Sequence, residues 1–379
     1  NKRDLMQFPS LGRADLVYPK MPTIQHPAFR KDTAVFDEVK KKDVLLHFPY
    51  HDFTHTVDLL REAAIDPDVR TIRITLYRVA KNSQIIHALI NAARNGKRVT
   101  ALVELQARFD EEHNIKITRQ LTEAGVRVIP GVQGLKVHCK LILISRRESA
   151  RTVRYVFAGT GNFNERTARM YTDHALITCN KELGDEVRKL FEFFESNFVR
   201  TVHRQLIVSP FNTRRKFTDL INSEIERAEK GEPAWITLKL NNLVDASLIR
   251  KLYDASQAGV KVKLIVRGIC SLIPGIAGKS EHIEVIHIIG RYLEHSRILA
   301  FCNGGKPLYY LTSADWMVRN IEHRIEVSIP ILDEDIQMEL QRYLEVQTAA
   351  DKKMRTKGSV KQTFVAVQDA VYAAIKTNK

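Results

Sequence analysis

Val137-His138-Cys139-Lys140-Leu141-Ile142-Leu143-Ile144 is a short apolar run rich in branched residues, broken by two polar side chains. Such a run reads as a buried β-strand. Residues two apart in a strand project from one face. His138 and Lys140 therefore point to one side, Cys139 and Leu141 to the other. A lysine buried in a core strand is costly unless it is paired, so Lys140 is expected to line a cleft and face an anion. Taken alone, the tetrad fits a core histidine beside an edge lysine equally well.

The pattern recurs. Glu294-His295-Ser296-Arg297-Ile298-Leu299-Ala300-Phe301 is again a histidine, one spacer, a permanent cation and an apolar strand. Ala158-Gly159-Thr160-Gly161-Asn162 and then Asp173 follow the first copy; Leu311-Thr312-Ser313-Ala314-Asp315 and then Glu326 follow the second. The separation from turn to acid is the same in both. Upstream, residues 96–103 (GKRVTALV) match residues 259–266 (GVKVKLIV), and Ile74-Thr75-Leu76 is matched to Ile236-Thr237-Leu238. Self-similarity at this scale marks a duplicated unit. The expected fold is α/β: two duplicated domains, each a mixed β-sheet flanked by helices, related by a pseudo-two-fold that sets two imidazoles across one cleft.

The chain has 379 residues, 44% of them apolar and 27% charged, the composition of a globular protein of two ordinary domains. No apolar run approaches membrane-spanning length and no signal-peptide pattern opens the sequence, so a cytoplasmic protein with at most peripheral membrane association is expected. Cys139, Cys179, Cys270 and Cys302 have no metal-ligand spacing and are expected as free thiols. A net charge of +15 calls for a polyanionic partner. The sequence opens on Asn1, and a fragment of a longer protein is expected. Residues 1–24 read as a lead-in from an upstream domain, 25–208 as the first domain and 209–379 as the second, with Pro210 at the boundary. The whole of 1–42 reads as polar and extended.

These motifs resemble the phospholipase D superfamily and, within it, the carboxy-terminal half of the bacterial polyphosphate kinases. Matching stretches are NKRDLMQFPS at Asn1, ITLYRVA at Ile74, LVELQARFDE at Leu102, GLKVHCKL at Gly134, GTGNFNE at Gly159, YTDHALIT at Tyr171 and SADWMVRN at Ser313. Phosphodiesterases of the superfamily carry an aspartate five positions after the lysine. Here those positions are Ser145 and Cys302, and the second motif has Arg297 in place of lysine. Both departures agree with the kinase branch.

The resemblance implies a chemistry. His138 is the implied phosphohistidine nucleophile, and Lys140 the cation that neutralises developing charge. His295 is the implied acid/base or oxygen-binding group, with Arg297 beside it. Tyr171 and Arg267, with His295, are the implied nucleotide-phosphate contacts; Asn162 either binds phosphate or stabilises its turn. Arg78 and Arg108 are implied to organise Mg²⁺ through phosphate oxygens, since a guanidinium cannot ligate a cation. Asp173 and Glu326 fit carboxylates that orient a motif histidine, or plain strand-start acids. His47, His51, His55 and His87 lack counterparts in the second copy and fit surface or core positions. The implied substrates are ATP, ADP and inorganic polyphosphate, in a homo-oligomer that does not bind nucleic acid. Two other readings follow from the same residues: a phospholipase D-type phosphodiesterase or phosphatidyltransferase, and a non-enzymatic polyanion-binding module. No aromatic-interleaved basic stretch supports the last.

Overall fold

In each half of the chain a strand, a capped helix and a second strand form a parallel β–α–β unit, and the rest of a sheet grows on it. The computed structural model describes residues 9, 11–30, 32–105, 107, 110–196, 201–355 and 360–377. The first half runs α1 (Val35–Lys41), β1 (Val44–Phe48), α2 (Thr54–Ile65), β2 (Val69–Leu76), α3 (Gln84–Arg94), β3 (Arg98–Val103), α4 (Glu111–Glu123), β4 (Arg127–Ile129), β5 (Lys136–Val137), β6 (Lys140–Glu148), β7 (Arg151–Gly159), β8 (Tyr171–Thr178) and α5 (Lys181–Glu195). The second runs β9 (Ile207–Val208), α6 (Thr213–Glu229), β10 (Trp235–Leu240), α7 (Ala246–Gln257), β11 (Lys261–Val266), β12 (Ile283–Ile286), β13 (Leu293–Glu294), β14 (Ile298–Phe301), β15 (Leu308–Thr312), α8 (Val318–Glu322), β16 (Arg324–Ile325), β17 (Val327–Ile331), α9 (Glu334–Arg355) and α10 (Val360–Thr377).

Local sequence explains the repeated unit. Ser83 caps α3 by accepting the Ile85 N–H at 3.2 Å, and Asp245 caps α7 by accepting the Leu248 N–H at 3.0 Å. Gly96 and Gly259 turn the chain out of these helices at φ +79° and +91°, where a side chain would be strained. The first sheet has the order β1-β8-β7-β6-β2-β3-β4, with β13 added on β8; the second has β12-β11-β10-β14-β15-β17-β9. From β8 to β4 and from β17 to β12 the two orders correspond strand for strand, as duplication requires.

The two inner sheet faces share one core. Leu143, Val156 and Leu176 meet Ala300, Tyr309 and Ile329 there, together with Leu190 of α5, Leu340 of α9 and Val371 of α10. Outside, Leu60 and Leu89 cover Ile72 and Ile74 of the first sheet, and Phe217 and Leu252 cover Ile236 and Leu238 of the second.

Four expectations are corrected. The supposed extended lead-in contains α1, which buries Val35, Phe36 and Val39; residues 1–8, 10 and 31 lie outside the described residues. Ile207 and Val208 pair with β17, so they belong with the second sheet and not with the first. The strand read as continuous through His138 is broken there: the N–H groups of His138 and Cys139 both point at the Ile325 carbonyl, at 2.9 and 3.1 Å, in the manner of a bulge. Finally, the match of Ile74 to Ile236 is two residues out of register. Ile72 pairs with Val99 and Ile236 with Val262, while Ile74 pairs with Ile142 and Leu238 with Leu299. Thr75 therefore corresponds to Lys239, and Tyr77 to Asn241. A slip of two keeps every side chain on its own face, so the alternating pattern could not reveal it.

A candidate active site where the two sheets exchange strands

The two short strands that precede the motif histidines each pair with the opposite half of the chain. β5 pairs with β16, placing Val137 beside Ile325; β13 pairs with β8, placing Glu294 beside Thr172. One residue further on, each histidine meets the acid of the other copy. His138 Nδ1 lies 2.9 Å from Glu326 Oε2, and His295 Nδ1 lies 2.8 Å from Asp173 Oδ1. Each acid is fixed by its own copy: Thr160 Oγ1 donates to Asp173 at 2.6 Å, Ser313 Oγ donates to Glu326 at 2.5 Å, and Asn320 donates to Glu326 at 2.7 Å. Gly161 is required in the first turn, because a Cβ there would fall 2.2 Å from Asp173 Oδ2.

With a carboxylate as acceptor, each Nδ1 carries the proton and each Nε2 keeps its lone pair. Burial drives the His138 pKa down to about 3, against the pull of Glu326 and with help from Lys140. Burial likewise lowers His295, against Asp173. For the two acids burial works upward, but the facing imidazole and the hydroxyl partner outweigh it and hold both carboxyls low. The arrangement is two neutral imidazoles, each donating to an ionised carboxylate.

The two cations differ more than the sequence implied. Lys140 is buried, and burial lowers its pKa to about 7, with Arg297 adding repulsion and Glu326 opposing. Its ammonium donates to the His138 carbonyl and lies 5.6 Å from the Tyr77 ring centroid. Arg297 is 4% exposed and its fork is occupied: Nε and Nη2 reach Asp315 at 3.1 and 3.3 Å, and Nη1 reaches the carbonyls of Thr160 and His295 at 3.3 and 3.2 Å. Asp315 also accepts the backbone N–H groups of Asn241 and Asn242, at 2.8 and 3.2 Å. The first-copy counterpart of Asp315 is Asn162, whose buried Oδ1 has no partner. The second cation is therefore neutralised, and the first has no carboxylate at the matching position.

Tyr171 packs its ring 5.4 Å from that of His295. Arg267 donates through Nε to Asn241 Oδ1, and Asn241 Nδ2 donates to the His295 carbonyl at 3.2 Å. Burial, then Arg297, lowers Arg267. Arg78 is partly exposed and pairs with Asp110 at 2.9 Å; its guanidinium lies 5.6 Å from the Tyr77 ring, which in turn meets His138 edge-on at 5.0 Å. Arg108 lies outside the described residues. His47, His51 and His55 are core residues and His87 is exposed.

Among the described residues no group of three or more histidine, cysteine or acidic side chains could hold a metal ion. Asp173, Glu326 and Asp315 are engaged by histidine or arginine, so this donor set does not build an all-protein Mg²⁺ cage. Sequence reading missed Tyr77, although it stands inside the quoted ITLYRVA stretch. It also missed Glu104, the counterpart of Arg267, which accepts the Val137 N–H at 3.0 Å and so pins the residue before His138.

Comparison with known proteins places these features in a family. Residues 34–201 match the family model for the polyphosphate kinase C-terminal domain 1, and residues 206–376 the model for C-terminal domain 2. The polyphosphate kinase of Vibrio cholerae is 50% identical over 355 residues, 94% of this chain and 51% of that protein; that of Escherichia coli K12 is 52% identical over 335 residues, 88% and 49%. The chain thus spans about half the length of the curated relatives it matches. The crystal structure of polyphosphate kinase from Porphyromonas gingivalis superposes with a TM-score of 0.87 at 37% identity, over all of this chain and 62% of that one. No described helix is long and apolar enough to cross a membrane. With both halves matched and their strand exchange in place, the chain belongs to the polyphosphate kinase family, of which it carries the two carboxy-terminal domains.

Proposed function

We propose that this chain carries the phosphoryl-transfer centre of a polyphosphate kinase, which reversibly moves the ATP γ-phosphoryl group onto inorganic polyphosphate through phosphohistidine. The observation that carries this reading is the His138–Glu326 hydrogen bond, which leaves Nε2 of a neutral, buried imidazole as the free lone pair. Nε2 attacks the γ-phosphorus; the N–P bond forms as the bond to the β,γ-bridging oxygen breaks, and ADP leaves with the electron pair. A terminal oxygen of polyphosphate then attacks the same phosphorus, and the N–P electrons return to Nε2. Reversal of both steps makes ATP. Such transfer depends on positioning and charge neutralisation.

Lys140, whose ammonium donates to the His138 carbonyl, supplies the positive charge beside the nucleophile. Tyr171, Arg267 and Asn162 contact the nucleotide phosphates, and His295 hydrogen-bonds or protonates the bridging oxygen. Arg78 and Arg108 bind phosphate oxygens of the substrates. Mg²⁺, when bound with those phosphates, would supply further charge neutralisation; the carboxylates around the histidines are already engaged. Arg297, bonded to Asp315 and to the Thr160 carbonyl of the other copy, acts by holding the two copies together beside the phosphates. The protein works in the cytoplasm as a homo-oligomer, with at most peripheral membrane contact and no nucleic-acid partner.

The test is ³²P transfer from γ-labelled ATP. Acid-labile, base-stable label on wild type and none on His138→Ala supports the reading. Label persisting in His138→Ala, or hydrolysis of bis(p-nitrophenyl) phosphate in place of labelling, refutes it.

A further inference from the structure

We infer that Gln368, on the last helix, and Glu294 are positioning residues for the second histidine, so that docking of α10 sets the geometry of His295. The inference rests on the proposed role of His295. Its basis is a buried polar cluster that the first copy lacks. Glu294 immediately precedes His295, is 3% exposed, and has both carboxylate oxygens hydrogen-bonded. Oε2 receives Lys239 Nζ at 2.7 Å, Gln347 Nε2 at 3.0 Å, Thr172 Oγ1 at 3.1 Å and Tyr343 Oη at 3.3 Å, while Oε1 receives Gln368 Nε2 at 2.8 Å.

Gln368 also grips the backbone leading to that strand. Its Oε1 accepts the Tyr292 N–H at 2.9 Å, and its Nε2 donates to the Tyr292 carbonyl at 2.9 Å. One amide side chain thus pairs with residue 292 as a neighbouring strand would and holds the residue-294 side chain as well. The chain leaves room for it: a Cβ on Gly290 would lie 2.6 Å from Gln368 Oε1. Thr172 completes the link, since its Oγ1 donates to Glu294 and accepts the His295 N–H at 3.2 Å.

The first histidine is held differently. Val137 stands where the second copy has Glu294, and Thr75 where it has Lys239. The Val137 N–H is anchored by Glu104, which directly follows β3 in the same half of the chain. A buried charge cluster is a costly way to fix a strand unless its geometry is wanted, because each ion must be desolvated. Here it joins the pre-histidine strand to α9 through Tyr343 and Gln347, and to α10 through Gln368. Among the described residues, the second histidine is therefore tied by hydrogen bonds to helices that the first is not.

The experiment uses Gln368→Leu and, from the strand side, Gly290→Ala, in the intact chain. Steady-state polyphosphate synthesis is measured well below the thermal midpoint, with His138 labelling by γ-³²P-ATP and the ¹H–¹⁵N spectrum of the imidazoles. In both variants kcat is expected to fall about 10–100-fold, the usual loss when a supporting contact is removed, with KM for ATP unchanged and His138 labelling slowed but still reaching completion. The His295 Nδ1–H resonance is expected to shift or broaden while that of His138 stays in place. A lowered thermal midpoint with unchanged kcat and an unmoved His295 resonance would show a purely structural role and overturn the inference. So would abolished labelling together with a moved His138 resonance, which would place the damage at the first histidine. If the wild-type chain proved inactive as a kinase, the resonance comparison would still decide the matter.

Discussion

Glu326 accepts the Nδ1 proton of His138 at 2.9 Å, across 188 residues of sequence and from the opposite copy of the duplicated fold. Asp173 does the same for His295, so the acids are exchanged between the halves. Neither half could orient its own histidine alone. The duplication is a functional unit only when β5 meets β16 and β13 meets β8.

That exchange sets a first prediction. Glu326→Gln can donate to Nδ1 and so stabilises the wrong tautomer of the nucleophile. His138 labelling by ATP is expected to slow by about 10–100-fold. Asp173→Asn disturbs only the second histidine, so labelling is expected to persist while turnover falls. The two effects are read in one rapid-quench experiment; labelling lost in Asp173→Asn but kept in Glu326→Gln would assign the acids to their own copies instead.

The two motif cations should separate by assay. Arg297 and Asp315 are both nearly inaccessible and bonded at two points. Breaking a buried ion pair from one side leaves an uncompensated charge and costs about 3–5 kcal/mol. Asp315→Asn is expected to lower stability by that order in urea unfolding, with Arg297→Lys next, since an ammonium cannot replace a fork. Lys140→Met removes a cation with no carboxylate at the matching position and is expected to cost activity, not stability. Equal stability losses in the two motifs would contradict this division.

Lys140 also sets the alkaline side of the pH profile. Burial, then repulsion from Arg297, lowers its pKa to about 7, against the pull of Glu326. The protonated fraction therefore falls as pH rises through about 7, and phosphate binding by the free enzyme falls with it. kcat/KM for ATP is expected to decline above that pH, and Lys140→Arg, which stays charged, should flatten the decline. His138, neutral down to about pH 3, contributes no acid limb of its own.

The fold was readable because its information is local. Gly96 and Gly259, the apolar strands and the repeated histidine strands declare a duplication, and Asp173 and Glu326 stood out by their matched spacing. What stayed hidden depends on tertiary pairing. Spacing within a copy cannot show that acids are exchanged between copies. Asp315 looked like a turn residue and proved to be the counter-ion of Arg297. The match at Ile74 slipped by two because alternation has period two. Glu294 and Gln368 are 74 residues apart and meet only through β13 and α10.

The buried histidines give a prediction about acid stability. Burial holds His47 and His51 well below the usual imidazole value, His174 and His138 down to about 3, and His26 to about 4. His174 has neither ring nitrogen hydrogen-bonded, and its ring lies 3.9 Å from that of His47. Above pH 6.5 these groups are neutral whether folded or unfolded, and their full contribution to stability is present. Below 6.5 the unfolded chain takes up protons that the folded chain refuses, and stability drains away until the folded values near 3 to 4 are reached. Each group removes up to about 1.4 kcal/mol per pH unit in that window. Glu339 works the other way: burial raises it to about 7, so its contribution is full below 4.5 and is lost as pH rises through 7. One such group does not offset five. The urea midpoint is expected to fall steeply between pH 7 and pH 5 with an unchanged m-value. His174→Phe keeps the ring packing and removes one proton acceptor, so its stability should decline less steeply by about 1.4 kcal/mol per pH unit. A midpoint that stays flat over this range, or a slope that His174→Phe does not change, would show that these imidazoles are already charged in the folded protein.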